Sequence, residues 1–394
     1  MNDVVITGLG VVSPIGDTIE RYWSGLLAGA GRPRRYPWID EKSVPNPVTY
    51  WIDEPKRPVV SDAGLGLGRA SQFAVRAASM ALADARVDDA SRSSVGVAIG
   101  TGMGHADLLE DERDGTGAPS PLDRFTFEVA STMASHLRLN GPNMSVSTAC
   151  AAGGYSISLG VETIRDGRAD VMVAGGAEGF SRIALGCFHR LGALDPVVCR
   201  PFDVDRAGTV FGEGAAMLVL ESAEHARRRS ARVYGSISGC GWSCDAHHAT
   251  APEPGGQQTA AALRRALAQA ELEPDDIDCA IPHGTGTDLN DVAESSMLAQ
   301  VFGERVKQLR IFALKSVIGH TGGAAGAFSC LTAALILDRG IVPPTANLTT
   351  ADPRCQLQLH TGVPIAGDLR HALVNAYAFG GNNISLVLDK AHVR

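Results

Sequence analysis

The chain has 394 residues, 45% of them hydrophobic but only 5% aromatic, with 45 glycines and a formal net charge of −8. That length suits two units or one large fused core, and the surplus of small residues suits helices and strands that approach closely in a layered α/β protein. The acidic balance argues against a nucleic-acid binder, and no run of roughly 18 apolar residues marks a membrane span, so a cytoplasmic protein is expected.

Along the chain, the N-terminal VVITGLGVVSPIG has no basic flank or cleavage site and reads as a strand and glycine turn. ALADARVDDASRSSVGVAIGTG, from Ala81, is a helix end, an acidic turn, a buried strand and a Gly-Thr-Gly loop. The stretch VSTACAAGG, Val146 to Gly154, carries a strand (Met144, Val146) into Cys150, and the segment after it reads as a helix to Asp166 with Gly167 at its C-cap. Cys150 then sits at a helix start, where unpaired N–H groups favour a thiolate, and its pKa is expected to be lowered. ADVMVAGG and DCAIPHG are short continuous apolar runs, the pattern of strands covered on both faces. Between Glu221 and Tyr234, ESAEHARRRSAR reads as a solvated boundary.

The chain also repeats itself. The segment from Ala81 resembles ALAQAELEPDDIDCAIPHGTG from Ala266. CAAGGYSISLGVETIRDG, ending at Gly167, parallels HTGGAAGAFSCLTAALILDRG, ending at Gly340, and FGEGAAMLVLE from Phe211 aligns without a gap to FGGNNISLVLD from Phe379. Matches in the same order predict a duplicated α/β core, with one half over residues 1–230 and the other over 231–394.

The repeat brings three residues to corresponding strand ends: Cys150, His283 in PHGTGTD and His320 in KSVIGHTGGAAG. Loops at the carboxyl ends of strands are where sites form in open α/β folds. A thiol with two imidazoles suits acyl chemistry, the thiolate attacking a thioester and the histidines bonding the oxygen charge that develops later. Lys315, in a chain that uses Arg almost everywhere, stands five residues before His320; a compact ammonium of adjustable pKa, or a plain surface lysine, both fit. GTGMG and GTGTD match no complete nucleotide fingerprint. The eight cysteines are scattered, so neither a disulfide framework, a metal nor a cofactor is expected.

Together VSTACAAG, CRPFDVDRAGTVFGEGAAMLVLE, PHGTGTD, KSVIGHTGGAAGA and AYAFGGNN resemble the β-ketoacyl-acyl carrier protein synthases, in the same order and over nearly the whole chain. The resemblance implies the thiolase fold, a duplicated five-layered α/β/α/β/α core with pseudo-twofold symmetry, and decarboxylating Claisen condensation in type II fatty-acid or polyketide synthesis. It implies that Cys150 carries the acyl chain, that His283 and His320 promote decarboxylation of a malonyl thioester, and that Lys315 supports them. It further implies an oxyanion hole of the Cys150 and Phe379 N–H groups, Phe379 as a gate, and Thr285, Thr287 and Gly380 beside the substrate. The implied partners are an acyl carrier protein and a second subunit, either another copy or a chain-length-factor-like chain. Arg69, Arg76 and Arg206 are candidates for carrier docking. A chain-length factor, which lacks the nucleophile, is the rival reading, and Cys150 argues against it. The sequence departs from the family pattern at Asp288, Asn290, Ser329, Ala378 and Asn382, which leaves substrate choice and the identity of the dimer partner open.

Overall fold

Apolar runs become the strands of one ten-stranded sheet in the computed structural model, which describes residues 3–39, 47–54, 67–88, 91–116 and 125–391. The strands are β1 (Val4–Val12), β2 (Gly96–Gly100), β3 (Asn143–Val146), β4 (Val171–Glu178), β5 (Gly214–Ser222), β6 (Gly235–Cys244), β7 (Cys279–Ile281), β8 (Arg310–Ile311), β9 (His371–Tyr377) and β10 (Asn382–Lys390). Their order across the sheet is β8-β7-β9-β10-β6-β1-β5-β4-β2-β3. Strands up to Ser222 thus lie on one side of a central β1–β6 junction, where Val5 faces Ser236, and strands from Gly235 lie on the other. The two sides mirror each other in direction as well: β2 is parallel to β3 and β4, as β7 is to β8 and β9, while β5 and β10 run antiparallel to their neighbours.

Six helices position the rest: α1 (Arg69–Asp84), α2 (Ala152–Arg165), α3 (Arg182–Arg190), α4 (Gln257–Ala270), α5 (Asp288–Phe302) and α6 (Ala325–Arg339). α1 covers β1, β5 and β4, and α4 covers β6 and β10. Between the two halves α2 packs on α6, giving the five-layered thiolase arrangement. A helix enclosed by both sides of that sheet must be apolar all round, and α6 is buried continuously from Ala325 to Leu337.

Backbone approach explains the glycines. A Cβ on Gly8 or Gly10 of β1 would lie 2.2 or 1.9 Å from the Ala81 or Ala77 carbonyl oxygen of α1. A Cβ on Gly239 or Gly241 of β6 would likewise lie 2.0 or 1.9 Å from the Ala266 or Ala262 oxygen of α4. The same Gly-x-Gly pair therefore seats the outer helix in each half. The boundary segment is less solvated than its composition predicts: Glu221 is fully buried, bonded to Thr7, Arg229 and His225 Nδ1 (2.6 Å for the last). Among the described residues no helix is long and apolar enough to cross a membrane.

Candidate active site

β3 ends at Val146 and a 3-10 turn, Ala149–Ala151, precedes α2, so Cys150 lies just ahead of the helix start expected for it. Ala149 holds a left-handed φ of 45°, a conformation that costs a non-glycine residue free energy and that persists where the surroundings over-determine it. Cys150 opens on a cavity of about 370 Å³ that His283, His320, Phe188, Tyr377 and Phe379 also line. The expected low thiol pKa is overturned. Burial pushes the Cys150 thiol up to about 11; Lys315 pulls it down and Glu178 pushes it up. Loss of hydration outweighs the nearby ammonium.

His283 follows β7, and His320 follows the short Lys315–Ile318 helix and Gly319. Their rings lie 5.6 Å apart and nearly perpendicular, at 87°. His320 Nδ1 accepts the Gly322 N–H at 3.2 Å, which assigns the proton to Nε2, a buried atom with no partner among the described residues. Lys315 donates to the His283 carbonyl and lies 3.4 Å from its Nδ1, so here too Nε2 carries the proton. Burial, with Lys315 second, holds both imidazoles well below the usual histidine range. They are neutral donors. Lys315 itself is buried, 4% exposed, which settles the surface-lysine alternative against it.

Two acids on one face of α5 hold the histidine loop. Glu294 accepts the His283 and Gly284 N–H groups, each at 2.7 Å, and Asp291 accepts those of Thr285 and Gly286 at 3.0 and 3.2 Å. Burial pushes the Glu294 carboxyl up to about 7. A third buried acid, Glu178 at the end of β4, accepts from Gly102 and Gly323 (2.7 Å each) and Met103 (3.0 Å), tying the Gly-Thr-Gly loop of one half to the His320 loop of the other. Motif spacing did not single out these acids, though the sequence carries a signal for them: D-x-x-E (Asp291 to Glu294) three residues after PHGTGT, and a glutamate closing the apolar run VMVAGGAE.

Phe379 stacks on Phe188 of α3, with centroids 5.0 Å apart and planes at 17°, and among the described residues its N–H meets no backbone carbonyl. Thr285, Thr287 and Gly380 line the same cavity, the two hydroxyls 2.8 Å from each other. Phe188 and Tyr377 are cavity residues that the sequence did not single out. Two of the docking arginines are corrected. Arg69 is 1% exposed and paired with Glu213 at 2.5 Å; Arg206 is buried between Asp352 (2.6 Å) and Asp288 (3.0 Å). Arg76, its side chain 34% exposed, pairs with the partly exposed Glu54 at 2.5 Å. Asp288, one of the departures, is thereby explained: it lines the cavity and bonds Arg206 and, at 2.5 Å, Arg354.

Comparison with known proteins matches residues 1–226 to the β-ketoacyl synthase N-terminal domain and residues 234–349 to the β-ketoacyl synthase C-terminal domain. A 3-oxoacyl-acyl-carrier-protein synthase 2 of Synechocystis sp. is 34% identical over 98% of each chain. Among solved structures, the ishigamide ketosynthase/chain length factor superposes with a TM-score of 0.92 at 37% identity, covering 99% of this chain and 100% of the other. The AntDE:AntF complex, a type II PKS acyl-carrier protein with its ketosynthase bound to the hexaketide, superposes at 0.88 with 28% identity, covering 99% and 100%.

Proposed function

The chain belongs to the β-ketoacyl synthase family and is a condensing enzyme of the acyltransferase class, and from that premise we propose how its side chains divide the reaction. Cys150 Sγ attacks the carbonyl of an acyl thioester; the thioester C–S bond breaks, and the thiol proton ends on the departing carrier thiol. His283 and His320 then hold the carbonyl oxygen of a malonyl thioester through their Nε2–H groups. Loss of CO2 leaves an enolate whose oxygen charge those donors stabilise. Its carbon attacks the acyl-Cys150 carbonyl, the new C–C bond forms, and the cysteine sulfur leaves and regains a proton. Neutral imidazoles suit this role, because a neutral N–H keeps its proton and stabilises the enolate without protonating it.

The observation that carries this reading is that Cys150, His283 and His320 line one cavity, with the Nδ1 of each histidine held by a donor and the His320 Nε2 without a partner among the described residues. Intact-protein mass measurement after incubation with an acyl thioester tests it. The wild type gains one acyl group and Cys150→Ala gains none; acylation of the alanine variant to the same extent contradicts the assignment.

An acyl carrier protein as donor is part of the proposal, supported by the carrier complexes of the relatives. So is a second thiolase-fold subunit. β3 ends the sheet as a half-exposed edge beside the exposed, stacked Phe125 and Phe127, centroids 5.4 Å apart, and edges with apolar flanks call for cover. The ketosynthase ApeO in complex with its chain length factor ApeC, a relative at 28% identity, keeps a heterodimer beside the homodimer as the form of that cover. All eight cysteines are free, as in the reducing cytoplasm where we locate the enzyme.

A further inference from the structure

The donors in the cavity do not end with the two histidines. Tyr377, the last residue of β9, is 7% exposed, and its hydroxyl is buried with no partner among the described residues. Its ring lies 5.7 Å from that of His283, which lies 5.6 Å from that of His320, so three donor side chains follow one another along the cavity wall. The acids nearby do not take its proton. Asp245 accepts from Asn383 Nδ2 at 2.6 Å and from the Glu253 N–H at 3.1 Å, and Glu294 accepts from His283 and Gly284. Burial and both carboxylates keep the phenol far from ionising, so it can act only as a donor or weak acceptor.

A buried hydroxyl left unpaired costs free energy, on the order of 1–3 kcal/mol, that phenylalanine would avoid. Such a cost is retained where a ligand satisfies the group. An acyl chain seated on Cys150 presents apolar surface, whereas the extender carries a carboxylate two bonds beyond the thioester carbonyl that the histidines hold. We propose that the Tyr377 hydroxyl donates a hydrogen bond to the leaving carboxylate of the malonyl extender and so orients it for loss of CO2, an inference that rests on the reaction assigned above. The acidic surroundings serve the same end, since an anion beside Asp245 and Glu294 is relieved of repulsion as it departs as neutral CO2, which favours the transition state over the bound substrate.

Tyr377→Phe tests this, with malonyl-pantetheine thioester as the probe so that carrier docking plays no part. The variant should raise KM for malonyl-pantetheine by about tenfold or more, the loss expected of one hydrogen bond to a charged group. Acyl loading of Cys150 and inhibition by acetyl-pantetheine, which lacks the carboxylate, should stay at wild-type values, and the unfolding midpoint should hold or rise because no internal bond is lost. An unchanged malonyl KM overturns the inference, and so does an equal loss in acyl loading with a lowered midpoint, which would make Tyr377 a packing residue. Wild-type enzyme that releases no CO2 from malonyl-pantetheine would instead overturn the assigned reaction.

Discussion

Cys150 and the two histidines are ionisable groups that the fold keeps uncharged, and burial is the first cause in each case. A measurable pH dependence results for the histidines. In the unfolded chain an imidazole takes up a proton near 6.5, whereas folded His283 and His320 stay neutral well below that value. The unfolded state therefore binds more protons as pH falls, and their contribution to stability is fully present above 6.5 and lost progressively below it. Urea midpoints should decline between about pH 7.5 and 5.5, and His320→Asn should decline less steeply because one of the two titrating groups is gone. Parallel curves for the two proteins would mean that His320 titrates normally in the fold. At this scale the sequence disclosed Cys150, His283 and His320 through their repeat positions, but their protonation was beyond it. A lowered thiol pKa follows from a helix end only when hydration is kept, and the pocket that removes water is assembled from residues far apart in the chain, such as Phe188, His320 and Phe379.

Among the elements, the outer helices lie close on their strands because glycines there leave room for the helix carbonyls. Gly10→Ala and Gly241→Ala put a methyl group against a helix carbonyl from each half of the repeat, and each should cost about 1–3 kcal/mol or more by chemical denaturation, the range for overpacked cores. Because the contacts correspond, the two losses should be similar; a neutral result at either position would show that its helix can move away. The strand runs and the α2 boundary were legible, since apolar continuity and the Gly167 cap are local signals. The Gly8/Gly10 and Gly239/Gly241 correspondence was equally present in TGLG and SGCG, yet its meaning emerges only when the helices lie on the strands. The D-x-x-E of α5 is similar: spacing puts two acids on one face, but only the loop above them reveals that they grip backbone N–H groups.

At the scale of the whole molecule, duplication produces the site. Neither half holds both the proposed nucleophile and the histidines: Cys150 comes from the loop between β3 and α2, His283 and His320 from loops beyond β7 and β8, and Glu178 ties the Gly102 loop of the first half to the His320 loop of the second. Internal repeats in the sequence foretold this meeting of loops, because equivalent strand ends converge near a pseudo-twofold axis. Surface partnerships were less legible. Arg69 and Arg206 looked like free cations and are interior ion pairs, since charge in a sequence carries no sign of burial. The central claim is that carbanion formation belongs to the histidines and chain carriage to the thiol, and release of CO2 from malonyl thioester by folded Cys150→Gln measures it directly. The account predicts continued CO2 release with chain extension abolished; loss of both activities together would contradict it.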